Sequence, residues 1–299
     1  MSAAPEPSPT PAAGPAPSAD LLLAHRLADA ADAISSRYFE GDFEVETKSD
    51  GSPVTIADRT VEETIKSVLA VERPLDGVLG EEVGPSGPTD RRWILDGIDG
   101  THNFAAGRSE WGTLITRQVD GEVVLGVITS PALGRRWWAE RGGGSWTATL
   151  APIGATPDGT SRLGPADRMR CTTADTLDGA VVAAIPSLQR FPDPADWHHQ
   201  VCAALQRGDV FPSAFGHSAA RVARGEVDAT VHLYGGVWDH AVGVVLVEEA
   251  GGRFCDLWGG RRLDTATAIY TNAALFDQVM AAVGAALPPN LSPPPTPPS

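Results

Sequence analysis

The sequence lacks any long hydrophobic run. No stretch approaches the roughly 18 consecutive apolar residues that a membrane-spanning helix needs. The N-terminus is rich in proline and alanine and carries no basic segment, so we expect no secretory signal. These two absences favour a cytoplasmic protein with no membrane partner.

Cysteine is scarce as well. Cys171, Cys202 and Cys255 are the three cysteines in 299 residues, and their spacing does not match that of metal ligands. A sparse, odd number of cysteines fits free thiols in a reducing cytoplasm better than it fits a disulfide framework. The sequence also shows no internal repeat.

Positive charge is in short supply. Lysine and arginine together number 23 against 38 aspartates and glutamates, which gives a net charge of −15. This balance argues against nucleic acid or an anionic membrane as a partner. An enzyme that acts on anionic phosphate esters would need cations to neutralise its own site.

Two proline-rich ends frame the globular part of the chain. Residues 1–19 contain six prolines and residues 288–299 contain seven, so both are predicted to be disordered tails. Residues 152–178 are loop-rich and are interpreted as a connection between two halves. The predicted halves are an N-terminal metal-binding half, 20–150, and a C-terminal half, 151–287, that shapes the substrate pocket.

The order of predicted elements indicates an α/β protein. Two helices are predicted over about 20–40 and 55–71, followed by short strands at 78–80 and 93–95 and by two hairpins. After residue 180, strands and helices interleave, with a strand-like segment at 211–215.

Five acids fall at predicted strand ends or helix starts, where side chains can point into a shared crevice: Asp58, Glu81, Asp96, Asp99 and Asp239. Five carboxylates in one pocket would repel each other and would need cations. All-oxygen ligation suits a hard ion, and Mg²⁺ is the usual choice at phosphates. Two such ions can clamp the attacking and leaving oxygens of an in-line displacement.

The centre of this set is a run that follows the apolar segment 93–95. Its two carboxylates are predicted to lie on a tight turn, next to a hydroxyl and to backbone N–H groups that could bind an anion. The run reads Asp96-Gly97-Ile98-Asp99-Gly100-Thr101.

Four motifs in this order resemble those of the inositol monophosphatase family of Mg²⁺-dependent, lithium-sensitive phosphatases. They are the run 96–101, Gly80-Glu81-Glu82, Val54-Thr55-Ile56-Ala57-Asp58 and Trp238-Asp239. The resemblance covers roughly residues 20–286. It implies layered α-β-α-β-α architecture of the inositol monophosphatase and fructose-1,6-bisphosphatase type, and a homodimer.

The resemblance also implies a role for each residue. Glu81, Asp96 and the Ile98 carbonyl would hold one Mg²⁺, and Asp96, Asp99 and Asp239 a second, with Asp58 near a weaker third. Catalysis would involve Glu81, Thr101 and Asp58, with Glu81 and Thr101 orienting the attacking water.

The phosphate and the rest of the substrate would meet further residues. The N–H groups of Gly100 and Thr101 would bind phosphate. The substrate-binding set implied by the resemblance is His232, Ser213, Ala214 and Lys48.

One position departs from the family pattern inside the central run. Gly97 stands where the family usually has proline, and glycine leaves a turn looser than proline does. Because every ligand side chain is present, we expect activity with weaker metal affinity.

The substrate is less sharply indicated. His232 stands where inositol-specific members have glutamate, while the segment 131–138 resembles the histidinol-phosphatase branch. The branch's aromatic and acidic signature is missing near 213–218. The preferred interpretation is a phosphatase of a small polyol or amino-alcohol phosphate, with histidinol phosphate favoured.

Several alternatives remain open at this point. The substrate could instead be inositol 1-phosphate, fructose 1,6-bisphosphate or 3′-phosphoadenosine 5′-phosphate, or the chain could be a non-catalytic protein that binds a phosphorylated ligand. Trp197, His198 and His199 could reach the pocket from a helix, although a solvated helix start is the favoured interpretation.

Overall fold

The computed structural model describes residues 16–39, 41, 53–155, 161–205 and 217–295, together with the backbone of 45–47; for 53–55 it describes only the backbone. The predicted site residues Lys48, Ser213 and Ala214 lie outside the described residues, as does the predicted strand 211–215.

The elements alternate along the chain much as the sequence indicates. The helices are α1 (Ala19–Phe39), α2 (Ile56–Glu72), α3 (Thr101–Ala105), α4 (Trp197–Leu205), α5 (Ser218–Ala223), α6 (Val237–Glu249) and α7 (Phe276–Ala286). The strands of the first half are β1 (Val45–Thr47), β2 (Pro53–Thr55), β3 (Gly77–Gly80), β4 (Gly84–Ser86), β5 (Arg91–Asp99), β6 (Gly112–Val119), β7 (Glu122–Ser130), β8 (Arg135–Glu140) and β9 (Gly144–Thr149). Those of the second half are β10 (Asp167–Arg168), β11 (Val182–Ile185), β12 (Ala229–His232), β13 (Gly252–Cys255) and β14 (Ala268–Asn272).

A large mixed sheet carries the first half. Its strand order is β10-β9-β8-β7-β6-β5-β3-β4, with β3 and β5 parallel and the other neighbours antiparallel. Helices α1 and α2 cover one face with apolar residues at helical spacing, including Leu23, Leu27, Val61 and Ile65. The Ser18 hydroxyl accepts a hydrogen bond from the Leu21 N–H at 3.1 Å and caps α1.

Helices α5 and α6 separate the large sheet from a smaller sheet, whose strand order is β11-β12-β14-β13. Its outer face is covered by α4 and α7. Residues 240–247 of α6 are all buried, because this helix packs against both sheets and has no face left for solvent. The resulting layers run α-β-α-β-α, which confirms the predicted fold class.

One apolar cluster crosses the predicted boundary at residue 150. Ile94 and Ile128 from the large sheet pack in the same cluster as Val242 and Val245 from α6. The division into 20–150 and 151–287 therefore remains a prediction about organisation, and the two halves share a core. In the predicted C-terminal tail, the carbonyls of Leu291 and Pro294 accept hydrogen bonds from Trp258 and Arg262.

Candidate active site

Strand β5 continues through the central acidic run. The prediction of a tight turn after Leu95 is wrong, since the strand ends only at Asp99. Asp96 pairs with Leu114 of β6, and Asp99 pairs with Gly112. Three steps along β5 therefore match two steps along β6, which is a β-bulge with one extra residue.

The bulge explains how both carboxylates reach the same place. In a regular strand, side chains alternate between faces, so residues three apart point in opposite directions. The extra residue restores Asp96 and Asp99 to one face. Asp239, in the first turn of α6, joins them, and carboxylate oxygens of these three residues lie within 4.8 Å of one another.

Gly97 occupies the bulge and is closely packed. A Cβ at this position would lie 2.5 Å from the carbonyl oxygen of Asp58, the third residue of α2. The Gly97 N–H donates to Glu62 Oε1 at 3.2 Å. The expectation of a loose turn is thus not supported, because the missing side chain lets α2 approach β5 and the N–H is engaged.

Glu62 is a site residue that the sequence analysis missed. Its buried carboxylate accepts backbone hydrogen bonds from Glu81, Glu82, Val83 and Gly97 at 2.9–3.2 Å. It therefore joins the segment after β3 to the bulge in β5. Burial raises the pKa of Glu62 to about 7, although these backbone donors act in the opposite direction. Its position one helical turn after Asp58 was the available signal.

The acids act on each other strongly. The pKa of Asp96 is raised well above its ordinary value by burial, and then by the charges of Glu81, Asp99 and Asp239. Burial, Asp239 and Glu81 likewise raise the pKa of Asp99, opposed by a hydrogen bond from the Gly100 backbone. Among the described residues, Asp96 Oδ1 and Asp99 Oδ2 are buried and have no hydrogen-bond partner.

This set of donors fits a hard cation. The oxygens are anionic, they converge, and two of them are buried without a donor from the described part of the protein. Asp58 and Glu81 lie outside the 4.8 Å group, but both contribute to the negative potential at Asp96.

The residues after β5 form a short helical turn. Gly100 adopts φ of 84°, a left-handed conformation that favours glycine, and precedes the five-residue helix α3. The Thr101 hydroxyl donates to the Ile98 carbonyl at 3.0 Å. The predicted phosphate and water contacts of Gly100 and Thr101 remain predictions.

A cavity of about 180 Å³ opens beside the acids. Its lining residues are Asp99, Ile185, Pro186, Ser218, Ala219, His232, Tyr234, Gly235, Asp239, Val242 and Tyr270. His232 lies at the end of β12, and its Nε2 is 2.6 Å from the Ser218 hydroxyl. Burial, followed by His240, lowers the pKa of His232 well below its ordinary value, so the ring is neutral. The structure therefore places the predicted substrate residue His232 in the same cavity as Asp99 and Asp239.

Comparison with known proteins agrees with this geometry. Residues 19–286 match the family model of the inositol monophosphatase family. The chain belongs to this family. It is accordingly a phosphoric monoester hydrolase, of a family that is generally metal-dependent, and the acidic cluster of β5 and α6 is consistent with that property.

Two proteins that are similar to this chain carry different names. The histidinol-phosphatase of Mycobacterium tuberculosis is 39% identical over 270 residues, which is 89% of this chain and 98% of that protein. A Streptomyces griseus protein named glucose-1-phosphate thymidylyltransferase is also 39% identical, over 86% of this chain and 93% of its own length. Among solved structures, an inositol monophosphatase from Zymomonas mobilis superposes with a TM-score of 0.71 at 29% identity, covering 90% of this chain and all (100%) of that one.

The three cysteines are not among the residues of the acidic cluster. Burial raises the pKa of the Cys171 and Cys255 thiols to about 12 and that of Cys202 to about 11, so these thiols are protonated and unreactive at neutral pH. Within the described part of the chain, the helices are all too short or too polar to cross a membrane.

Proposed function

We propose that the protein is a Mg²⁺-dependent phosphatase of a small phosphorylated amino alcohol, with histidinol phosphate as the favoured substrate. The observation that carries this proposal is that two of the acids share one cavity with a histidine and a tyrosine. Asp99 and Asp239 line one part of it, and a neutral His232 with the aromatic Tyr234 lines another. The histidinol-phosphatase name of a relative that matches nearly the whole chain supports the same substrate.

The donor set supports Mg²⁺ as the cofactor. Asp96, Asp99 and Asp239 would hold one ion, and Glu81, Asp96 and the Ile98 carbonyl another, with Asp58 beside a weaker third. Bound Mg²⁺ would supply positive charge for the phosphoryl oxygens and would make a coordinated water more acidic. The number of ions, two or three, is part of the proposal.

The protein's own groups would position the reactants. The Glu62 carboxylate accepts a hydrogen bond from the Glu81 N–H and so holds the Glu81 backbone, from which the Glu81 carboxylate would orient the attacking water. The Thr101 hydroxyl donates a hydrogen bond to the Ile98 carbonyl. Its oxygen can therefore accept a hydrogen bond from that water. The N–H groups of Gly100 and Thr101 would bind the phosphoryl group, which for Gly100 requires its N–H to exchange the Asp99 carboxylate for the phosphate.

Hydrolysis forms a bond from the water oxygen to phosphorus and breaks the ester bond between phosphorus and the alcohol oxygen. The products are orthophosphate and the alcohol. The alcohol would leave toward the part of the cavity lined by Ser218, His232 and Tyr234.

The lining of this cavity supports a neutral or cationic leaving group. No arginine or lysine occurs among the described residues that line it. These described residues offer no counter-charge to a second phosphate group, so they favour a monophosphate ester over fructose 1,6-bisphosphate and 3′-phosphoadenosine 5′-phosphate. The Ser218–His232 pair can exchange hydrogen bonds with a hydroxyl, so inositol 1-phosphate is the second candidate.

A substrate panel tests the proposal. Phosphate release is measured with and without Mg²⁺ on histidinol phosphate, inositol 1-phosphate and the two bisphosphates, with Asp96→Asn as the control. We expect the highest kcat/KM with histidinol phosphate and a kcat/KM at least about a hundredfold lower for the variant. Preference for a bisphosphate would contradict the substrate, and inactivity on every ester would contradict the function.

A separate reaction tests the transferase name carried by one relative. The protein is incubated with glucose 1-phosphate and dTTP, and pyrophosphate release is followed. We expect none, because the chain is a phosphoric monoester hydrolase of the inositol monophosphatase family and the proposed acceptor at its site is water. The homodimer implied by the family resemblance remains a prediction for measurement of mass in solution.

A further inference from the structure

One wall of the cavity has an aromatic residue with no stated contact to the substrate. Tyr234 lies in the loop between β12 and α6 and lines the same cavity as Asp99 and Asp239. Its side chain is 53% exposed, which is unusual for a tyrosine at the edge of a buried site. Tyr234 thus lines the cavity and is also open to solvent.

Tyr234 is the outer member of an aromatic stack. Its ring lies 5.4 Å from that of His198 at an interplanar angle of 12°, and 5.9 Å from that of Phe191 at 19°. His198 and Phe191 are stacked at 4.7 Å and 7°, and Trp197 stacks on His198 at 3.6 Å and 26°. The four nearly parallel rings form what we call the aromatic platform.

The platform is held by polar contacts at its back. His198 Nδ1 lies 2.7 Å from Asp196 Oδ1, and His199 Nδ1 lies 2.7 Å from the carbonyl oxygen of Phe191. Phe191 is only 5% exposed. Trp197, His198 and His199 begin helix α4, as the favoured interpretation has it, and none of the three lines the cavity itself. Trp197 and His198 reach the cavity only through their stack with Tyr234.

The charge around the platform favours one class of partner. The hydrogen bond from His198 holds the pKa of Asp196 below its ordinary value, so this carboxylate stays ionised. His232 beside Tyr234 is neutral. An aromatic face close to carboxylates attracts planar rings and cations, through stacking and through the negative charge of the ring face.

We propose that Tyr234, supported by Phe191, Trp197 and His198, is a platform on which a planar or cationic leaving group of the phosphate ester stacks. This inference rests on the proposed function as a phosphatase and specifies how that site selects its alcohol. Tyr234 would contact the leaving group and leave the phosphoryl group to the acids and their cations. The platform would therefore determine preference between esters without contributing to the chemical step that they share.

Two substitutions of one residue separate the ring from its bulk. Tyr234→Phe keeps the aromatic face, whereas Tyr234→Leu keeps an apolar side chain and removes the face. Each variant is assayed with Mg²⁺ on histidinol phosphate and on glycerol 2-phosphate, whose leaving group is neither planar nor cationic. We expect Tyr234→Leu to lower the ratio of the two kcat/KM values roughly five- to tenfold, mainly through KM, and Tyr234→Phe to change it less than about twofold.

A binding measurement supplements turnover. Isothermal titration calorimetry with L-histidinol, the product alcohol, should show weaker binding to Tyr234→Leu by a similar factor and nearly unchanged binding to Tyr234→Phe. A ratio of the two kcat/KM values that Tyr234→Leu leaves unchanged, including an equal loss of both esters, would overturn the platform.

The outcome also distinguishes this inference from the proposed function. If the wild-type protein hydrolyses glycerol 2-phosphate and the ratio does not respond to Tyr234→Leu, the platform is refuted and the phosphatase stands. If no ester is hydrolysed, the phosphatase is refuted, and the calorimetric comparison still decides whether Tyr234 contributes to binding L-histidinol.

Discussion

Two buried acids in this protein have opposite surroundings. Asp32 on α1 is 0% exposed and lies 2.9 Å from Arg136 Nη2 and 2.8 Å from Arg162 Nη1. Asp96 on β5 is 1% exposed, and the charges that act most on it are those of other acids. Both residues contact the same large sheet, so burial alone does not distinguish them.

The difference separates an acid that serves the fold from one that serves a reaction. Burial raises the pKa of Asp32, but Arg136, Arg162 and the Thr129 hydroxyl act against that shift. The protein supplies the counter-charge itself, and the network holds α1 on the sheet. Around Asp96 the counter-charge has to come from outside, which is the property expected of a cation site.

The largest expected effect is on turnover. Asp96→Asn should lower kcat/KM at least about a hundredfold, because it removes an anionic ligand from the centre of the cluster. The circular dichroism spectrum should be unchanged, and the metal-free variant should be more stable than the wild type since repulsion is relieved. Asp32→Asn is the matched control, with lower stability and retained activity per folded molecule. Wild-type turnover in Asp96→Asn would remove the distinction between the two acids.

Breaking the other cluster should affect folding instead. Arg136→Met leaves Asp32 and Asp29 with one fewer partner in a buried position and should cost about 3–5 kcal/mol in the free energy of unfolding. Urea titration measures this loss. Arg26→Met, at an exposed pair with Glu72, is the control and should cost no more than about 1 kcal/mol. A large loss of kcat in folded Arg136→Met would contradict the comparison.

Removal of divalent cations should make stability depend on pH in a defined direction. Asp96 and Asp99 have pKa values raised well above 3.8 in the folded protein, so the native state binds more protons than the unfolded chain. Stability of the chelated protein should therefore fall as pH rises above about 4 and through the raised pKa values.

Thermal unfolding with EDTA, scanned from about pH 5 to about pH 8, measures this slope. Added Mg²⁺ should restore stability, and most strongly at the higher pH, where the carboxylates bind it without losing protons. A slope of the opposite sign would show that the acids are not mutually repelled.

The smallest expected effect concerns the bulge. Gly97→Ala places a methyl group against the Asp58 carbonyl and should weaken apparent Mg²⁺ affinity about tenfold with little change in kcat at saturating Mg²⁺. Gly284→Ala, in α7 with no atom within 4 Å of the added Cβ, is the control and should leave affinity unchanged. Tighter Mg²⁺ binding by Gly97→Ala would instead support the expectation that glycine at this position leaves the backbone loose and weakens metal affinity.

Much of this arrangement could be predicted from local patterns. Helical spacing identified α1 and α2, and the positions of Asp58, Glu81 and Asp239 at element ends identified three of the acids. The bulge was missed because it is a property of the pairing between β5 and β6, which sequence periodicity within β5 does not contain. Gly97 inside an apolar strand was the signal for it.

Glu62 and the aromatic platform were missed for a related reason. Glu62 acts on residues about twenty and thirty-five positions away, and Tyr234 meets Phe191 and His198 only when α4 packs beside β11. Such contacts depend on the tertiary arrangement and not on neighbouring residues. The acids themselves can be read from local sequence motifs, and these motifs were sufficient to predict a phosphatase reaction.

Helix α6 connects the acidic site to both sheets. It packs against both sheets and begins with the turn that carries Asp239, while Asp96 and Asp99 belong to the large sheet. A cation shared by these three residues would act as a removable cross-link between α6 and β5. Loading it would couple the two sheets in the manner of a disulfide, with the difference that the cell can withdraw it by changing the concentration of an ion.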